Sequence, residues 1–426
     1  MKNKKIISNF NHIFFKFIYT LLIFIFVFPA YSFEKKDHLL ESAFNQNIDW
    51  KKTLKKASGQ TIYFHAWGGA KNINSYIDWA SKEVKKNYNI KVKHVKISDT
   101  SNVVSRILSE KNAGKNNKGA VDLVWINGEN FSFMQKNKLL IENSWIFKLP
   151  NTKNMNFANN PGLLNDFGIN TRGMEMPWGV AQLNFYYDTK YISSPPKSAK
   201  ELKKYILKNK GRFTFPQPPD FVGTSFLKQI LIELTQDKSV LQSKYIEQKH
   251  QILLNTLWSW LDEVTPFLWR EGKGYPANYS ALTQLVADRE IDIGMAFNIA
   301  HASNAISEGK LPNTIRSYIH KGGTLANVHF LSIPYNSSVK EASKVFINFL
   351  ISPEAQLKKQ NKNIWGDPSV LSINKLNLDF KIKFNKLPRG VATLSNDELQ
   401  NKLAELHPSW VKIIENQWIK KYGVRK

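Results

Sequence analysis

From residue 61 onward the chain alternates compact apolar runs with longer amphipathic ones. Thr61–Ala66 (Thr-Ile-Tyr-Phe-His-Ala) stops at Trp67-Gly68-Gly69 and predicts a buried strand. Behind it, Ile73, Tyr76, Ile77, Ala80 and Val84 recur at the spacing of one helical face. A strand at Ile90–Val95, a helix through Val103–Leu108 and a third strand at Val121–Ile126 follow, and the last runs into Asn127-Gly128-Glu129-Asn130. That order predicts a parallel sheet covered by helices, with ligand groups gathered just past the carboxyl ends of strands, in loops 67–70 and 127–131.

The pattern breaks at Met176-Pro177-Trp178-Gly179 and resumes at Val180–Tyr187, the place for a crossing into a second unit. There, Gly211–Pro219 predicts a strand ending in a proline-rich turn. Phe226, Leu227, Ile230, Leu231 and Leu234 mark a helix that Thr224 and Ser225 are placed to cap. Further helices are marked by Leu253, Leu254, Leu257, Trp258 and Leu261, and by Leu282, Leu285 and Val286, before a strand at Ile291–Phe297 with Asn298 just beyond it. Near the end, Ala342, Val345, Phe346, Phe349 and Leu350 give another helical face. Ser352-Pro353-Glu354 opens the next helix as cap, first-turn proline and dipole-matching acid.

The N-terminus differs from everything after it. Lysines at 2, 4, 5 and 16 precede an apolar run from Phe17 to Phe28, and Ala30-Tyr31-Ser32 follows. Residues 1–32 therefore predict a secretory signal peptide cut before Phe33, because the apolar run is shorter than the about 20 residues of a spanning helix. The 426 residues allow two or three domains. With no cysteine, disulfides, thiolate metal sites and cysteine nucleophiles are excluded. The net charge of +26 invites a nucleic-acid reading, but only eight of the 60 basic residues are arginines and the lysines are scattered, so no nucleic-acid partner is expected.

Catalytic signatures are missing. None of the nine histidines forms a metal-spaced pair, and no nucleophile elbow, Walker loop or dinucleotide fingerprint occurs, so neither cofactor nor metal is expected. What stands out is a set of aromatics at predicted loop edges: Trp67, Trp125, Trp178, Trp269, Tyr275 and Trp365. Trp125 lies inside a strand and is assigned to packing, whereas Trp67, Trp178 and Tyr275 adjoin Gly or Pro and are site candidates. Glu129 is the acid nearest such a loop, with a helix N-terminal charge as the alternative role.

Taken together, Val121–Phe131, Gly211–Phe226, Leu268–Pro276, Ile333-Pro334-Tyr335-Asn336-Ser337 and the Ser-Pro-Glu-Ala-Gln run at 352–356 resemble the extracellular solute-binding proteins of ABC importers, in their YnjB-like branch. The resemblance spans the chain. It implies an α/β periplasmic binding protein of type II: two lobes with mixed sheets, helices on both faces and hinge crossovers near 180–187, 297–299 and 331–335. The first lobe would take 33–184 with 299–330, the second 185–298 with 331–426. Solute would lie between them against Trp67, Gly68, Gly69, Asn127, Glu129, Trp178, Thr224, Ser225, Tyr275 and Asn298, with Trp365-Gly366-Asp367 a further candidate. The implied protein is a periplasmic monomer that traps a small polar solute, cationic or ring-bearing and thiamine-like. It would pass that solute to an ABC permease with its ATPase, without catalysis. The alternative is a secreted transferase or lyase on the same scaffold, using Glu129 and Asp220.

Overall fold

The computed structural model describes residues 50–141, 144–395, 397–399 and 401–423. The expected signal peptide at 1–32 lies outside the described residues. Helix α1 (Trp50–Ala57) leads into β1 (Thr61–Trp67), α2 (Lys71–Tyr88), β2 (Lys91–Ile97), α3 (Thr100–Asn112), β3 (Leu123–Ile126) and α4 (Glu129–Lys136). The three strands run parallel with β1 in the middle. Helix α2 buries Ile73, Tyr76, Ile77, Ala80 and Val84, the five positions that its periodicity marks. Asp99 caps α3 by accepting the Ser101 N–H at 2.8 Å.

A small hairpin, β4 (Asn165–Asp166) and β5 (Ile169–Asn170), precedes β6 (Glu175–Gln182). The chain then enters a second sheet, in which β7 (Asn184–Asp188) lies between β8 (Ile293–Ala296) and β9 (Ile315–Tyr318), all antiparallel. Around it stand α5 (Ala199–Lys208), α6 (Phe221–Leu234), α7 (Glu247–Val264), α8 (Tyr279–Ala287) and α9 (His301–Ser307). Strand β10 (Thr324–Ser332) returns to the first sheet, antiparallel to both β3 and β6. Helices α10 (Lys340–Leu350), α11 (Pro353–Gln360) and α12 (Leu378–Asn385) follow, then β11 (Lys402–Leu403), parallel to β10, and α13 (Ser409–Tyr422).

Each sheet has its own core. One gathers Val104, Ile107, Val124, Phe131, Met134 and Phe330. The other gathers Phe185, Leu202, Phe226, Ile230, Trp260, Met295, Trp410 and Ile414. The packing differs from the expected lobe bounds. Helix α9 packs on β9 and puts Ala302 and Ala305 into the second core, so 297–299 is no crossing. Helix α10 lies against α1, α2 and β1, so 331–426 does not join the second lobe as one piece. Only the end of that segment does, through α13 on α6. The cause is β10: its pairing with β3 and β6 carries the chain back to the first sheet before α10 begins.

Two local readings also change. Gly211–Pro219 is no strand of either sheet: turns stand at both of its ends, and prolines at 216, 218 and 219 lack the N–H a ladder needs. Trp178 sits in mid-strand. Among the described residues strand β6 pairs only with β10, and a register shift between His329 and Phe330 accommodates Pro177. An edge position with an irregular ladder is where a strand tolerates proline, so Met-Pro-Trp-Gly is not a break. Among the described residues no helix is long and apolar enough to cross a membrane.

Candidate ligand cavity between the two sheets

The carboxyl ends of β1, β2 and β3 open onto a cavity of about 860 Å³, whose other wall comes from α6, α8, β8 and α13. That volume suits a small organic ligand. Trp67, Gly68, Gly69, Asn127, Glu129, Thr224 and Asn298 line it, as do Trp365 and Asp367. Trp178, Ser225 and Tyr275 do not. Trp178 is fully buried beneath the floor, edge-on to Trp125 at 5.1 Å and to Trp365 at 5.1 Å. Ser225 lies inside α6 with no exposed surface. Tyr275 covers the second core, with its ring 5.0 Å from Trp418 and 5.2 Å from Phe215.

Close approach explains the glycines. A Cβ at Gly69 would run into the Trp67 indole, and one at Gly68 would lie 2.6 Å from Lys96 Cβ. The Gly68 N–H is spent on Ile97 O at 3.0 Å, and its carbonyl accepts from Asn74 Nδ2 at 2.9 Å. Gly128 has φ of 64°, and a Cβ there would meet the Phe167 ring at 2.7 Å.

The start of α6 is not where the sequence placed it. Asp220, not Thr224 or Ser225, is the cap: its Oδ1 accepts the N–H groups of Val222 at 2.9 Å and Gly223 at 3.1 Å. A carboxylate there takes the donors that an anionic ligand would otherwise use. Thr224, one turn in, donates its hydroxyl to Glu415 Oε1 on α13 at 2.8 Å.

Aromatic faces come from Trp67, paired with Tyr279 at 5.8 Å, and from Trp125, 5.6 Å from Trp365. Trp125, expected to serve packing alone, is half-buried and also faces the cavity. The floor is held by a buried network in which Asp367 accepts from His329 Nε2 at 3.0 Å and from Lys359. A Cβ at Gly179 would strike both Asp367 Oδ2 and His329 Nε2. Gly179→Ala is therefore expected to destabilise the protein by about 1 to 3 kcal/mol, since neither partner has room to move. An unchanged urea midpoint would contradict that packing.

Charge in the cavity opposes the charge of the chain. Asp99, Glu129, Asp220 and Glu415 line it, and among the described residues none of the four forms an ion pair. The lining lysines are Lys228, bound to Glu405 at 2.6 Å, and Lys96. Burial pushes Asp220 up to about 6, against its two backbone donors. Burial likewise pushes Glu415 up to about 7, with the charges of Glu129 and Asp99 adding to it. Glu129 is open to the cavity but walled by protein, and that desolvation raises it too.

Of these acids, Asp99 was within reach of sequence reasoning, for it follows β2 as Glu129 follows β3. Asp220 appeared only as an enzymatic candidate. Glu415 and Tyr279 carry no local signal, and Glu415 reaches Thr224 across 191 residues of chain. Among the described residues no cluster of three His, Asp or Glu suits a metal ion.

Comparison with known proteins agrees with this architecture. Residues 79–370 match the family described as bacterial extracellular solute-binding protein. Protein YnjB of Escherichia coli strain K12 is 38% identical over 379 residues, covering 88% of this chain and 94% of that one. Among solved structures, the spermidine/putrescine substrate-binding protein PotD of Streptococcus pneumoniae superposes with a TM-score of 0.61 at 16% identity, over 86% of this chain and 100% of that one. The periplasmic binding protein AfuA of Actinobacillus pleuropneumoniae, with fructose-6-phosphate bound, gives 0.57 at 14% identity over 86% and 100%. These structures share the type II periplasmic binding fold, and the chain belongs to the bacterial extracellular solute-binding protein family.

Proposed function

We propose that the cavity captures a small organic cation, ring-bearing or polyamine-like, and that closure of the two lobes presents it to an ABC permease driven by an ATPase subunit. The observation that carries this reading is the unpaired carboxyl set Asp99, Glu129, Asp220 and Glu415 inside a lysine-rich chain. Two of these acids stand on each wall, so a cation between them draws the walls together, and contacts made only in the closed form shift the population toward it. The protein acts as a monomer in the periplasm once its signal peptide is removed.

Aromatic faces support the same class. A cation over an aromatic ring gains roughly 0.5 to 2 kcal/mol, and Trp67, Tyr279, Trp125 and Trp365 supply four faces around the cavity. The solute named for the pneumococcal neighbour is a polyamine, which agrees; the sugar phosphate in AfuA does not fit a cavity whose helix-start donors are taken by Asp220. A thiamine-like heterocycle satisfies the charge and the rings together. Neither the family nor the structural neighbours support the transferase or lyase alternative.

Titrating spermidine, thiamine, maltose and phosphate while following tryptophan fluorescence tests the class. Saturable binding is expected for one of the two cations. Trp67→Ala should weaken it about threefold to thirtyfold, the span of one desolvated aromatic contact. Tight binding of phosphate alone would overturn the reading.

A further inference from the structure

Below the cavity wall two acids are buried with no cation paired to them among the described residues. Glu175, the first residue of β6, is 0% exposed, and neither of its carboxyl oxygens has a hydrogen-bond partner among the described residues. Asp166, at the end of β4, is 1% exposed; its Oδ2 accepts the Gly128 N–H at 2.6 Å while Oδ1 is left unpartnered. The charged groups acting on Asp166 are Glu129 on α4, Glu405 ahead of α13 and Lys228 on α6, and the charge that acts on Glu175 is Asp166 itself. Lys228 is already committed to Glu405 at 2.6 Å. An ionised carboxylate with neither donor nor counter-ion is an arrangement that buried groups avoid by taking up a proton.

We propose that Asp166 and Glu175 form a buried proton-binding site, with one proton held on Glu175 in the folded protein at neutral pH. Asp166 is the partner better able to stay ionised, because it has the Gly128 N–H and the field of Lys228. Burial raises both groups well above the ordinary carboxylate range. The site is wired to the ligand loop, since Gly128 directly precedes Glu129 and the Glu129 charge bears on Asp166. Ligand charge at Glu129 and the buried proton are thereby linked, each weakening or strengthening the other by the same factor.

The sign of the pH effect follows. Glu175 is protonated in the folded chain and ionised in the unfolded one over the window between its ordinary pKa and its raised one. Its contribution is complete below the ordinary value and is lost as pH rises, about tenfold in the folding constant per pH unit. Glu175→Gln keeps the shape without the titration, so its stability relative to the parent should climb by that factor per unit.

Infrared spectroscopy of the full chain reads the proton directly. At about pH 8, where Asp220 and Glu415 are mostly ionised, a carbonyl stretch of a protonated carboxyl should persist and should vanish in Glu175→Gln. If that variant does not fold, Asp166→Asn serves instead: the band should survive and titrate at lower pH, because the neighbouring charge is gone. A parent protein without the band, a band that Glu175→Gln leaves in place, or a band whose titration in Asp166→Asn stays put or moves to higher pH overturns the assignment. So does a band erased by sodium at constant ionic strength, which would make the bound species a metal cation.

Discussion

Lys228→Met is expected to lower the stability of this protein by about 3 to 5 kcal/mol, the cost of leaving one charge of a buried pair uncompensated. The side chains of Lys228 and Glu405 are 2% and 3% exposed, with Nζ and Oε2 2.6 Å apart. Among the described residues Glu405 has one further donor, Asn327 Nδ2 at 3.0 Å, too little to hold a full charge in a dry site. The ammonium also lies 4.6 Å from the centre of the Phe167 ring, so the pair ties α6 to the β4–β5 turn, and through Asn327 to β10. Adding Glu405→Gln to Lys228→Met should restore most of the loss, because the remaining amide is neutral. Urea unfolding of the two variants decides it. A single variant as stable as its parent, or a double variant worse than the single, would mean that this ion pair does not anchor the fold.

Glu129→Gln and Glu415→Gln should each weaken cation binding by about 10- to 150-fold, the range for losing a hydrogen bond to a charged group. Affinity should also fall with acid. A bound cation favours ionised carboxylates, whereas the empty cavity holds Glu415 at about 7 and Asp220 at about 6. Binding is therefore strongest above about 7 and is lost as pH drops first through the Glu415 value and then through that of Asp220. Near neutrality the complex should release protons, seen by calorimetry as a binding heat that changes with the ionisation heat of the buffer. Glu415→Gln should remove most of that release. Affinity independent of pH, or protons taken up on binding, would rule out these carboxylates as the cation's partners.

How much was legible depended on the range over which each feature is encoded. The face of α2, the Ser352 cap and the apolar faces of α10 and α7 are properties of adjacent turns, and the structure keeps each where the sequence placed it. Loops 67–70 and 127–131 were legible too, for a parallel sheet delivers the carboxyl ends of its strands to one edge whatever follows. Trp178 was misplaced because Pro and Gly were read as a break, while an edge strand with a shifted register absorbs both.

The sequence by itself determined β1 to β3, the helices with clear apolar faces, the α/β class, the family resemblance and the loops of one cavity wall, all of which rest on short spacings. The tertiary structure decided which core each late segment joins, because the pairing of β10 with β3 and β6 is a contact between residues some 150 to 200 positions apart. It also decided the sign of the cavity. Asp99, Glu129, Asp220 and Glu415 arrive from four separate elements, and only folding brings them to one space; there desolvation, which composition does not encode, raises Glu129, Asp220 and Glu415.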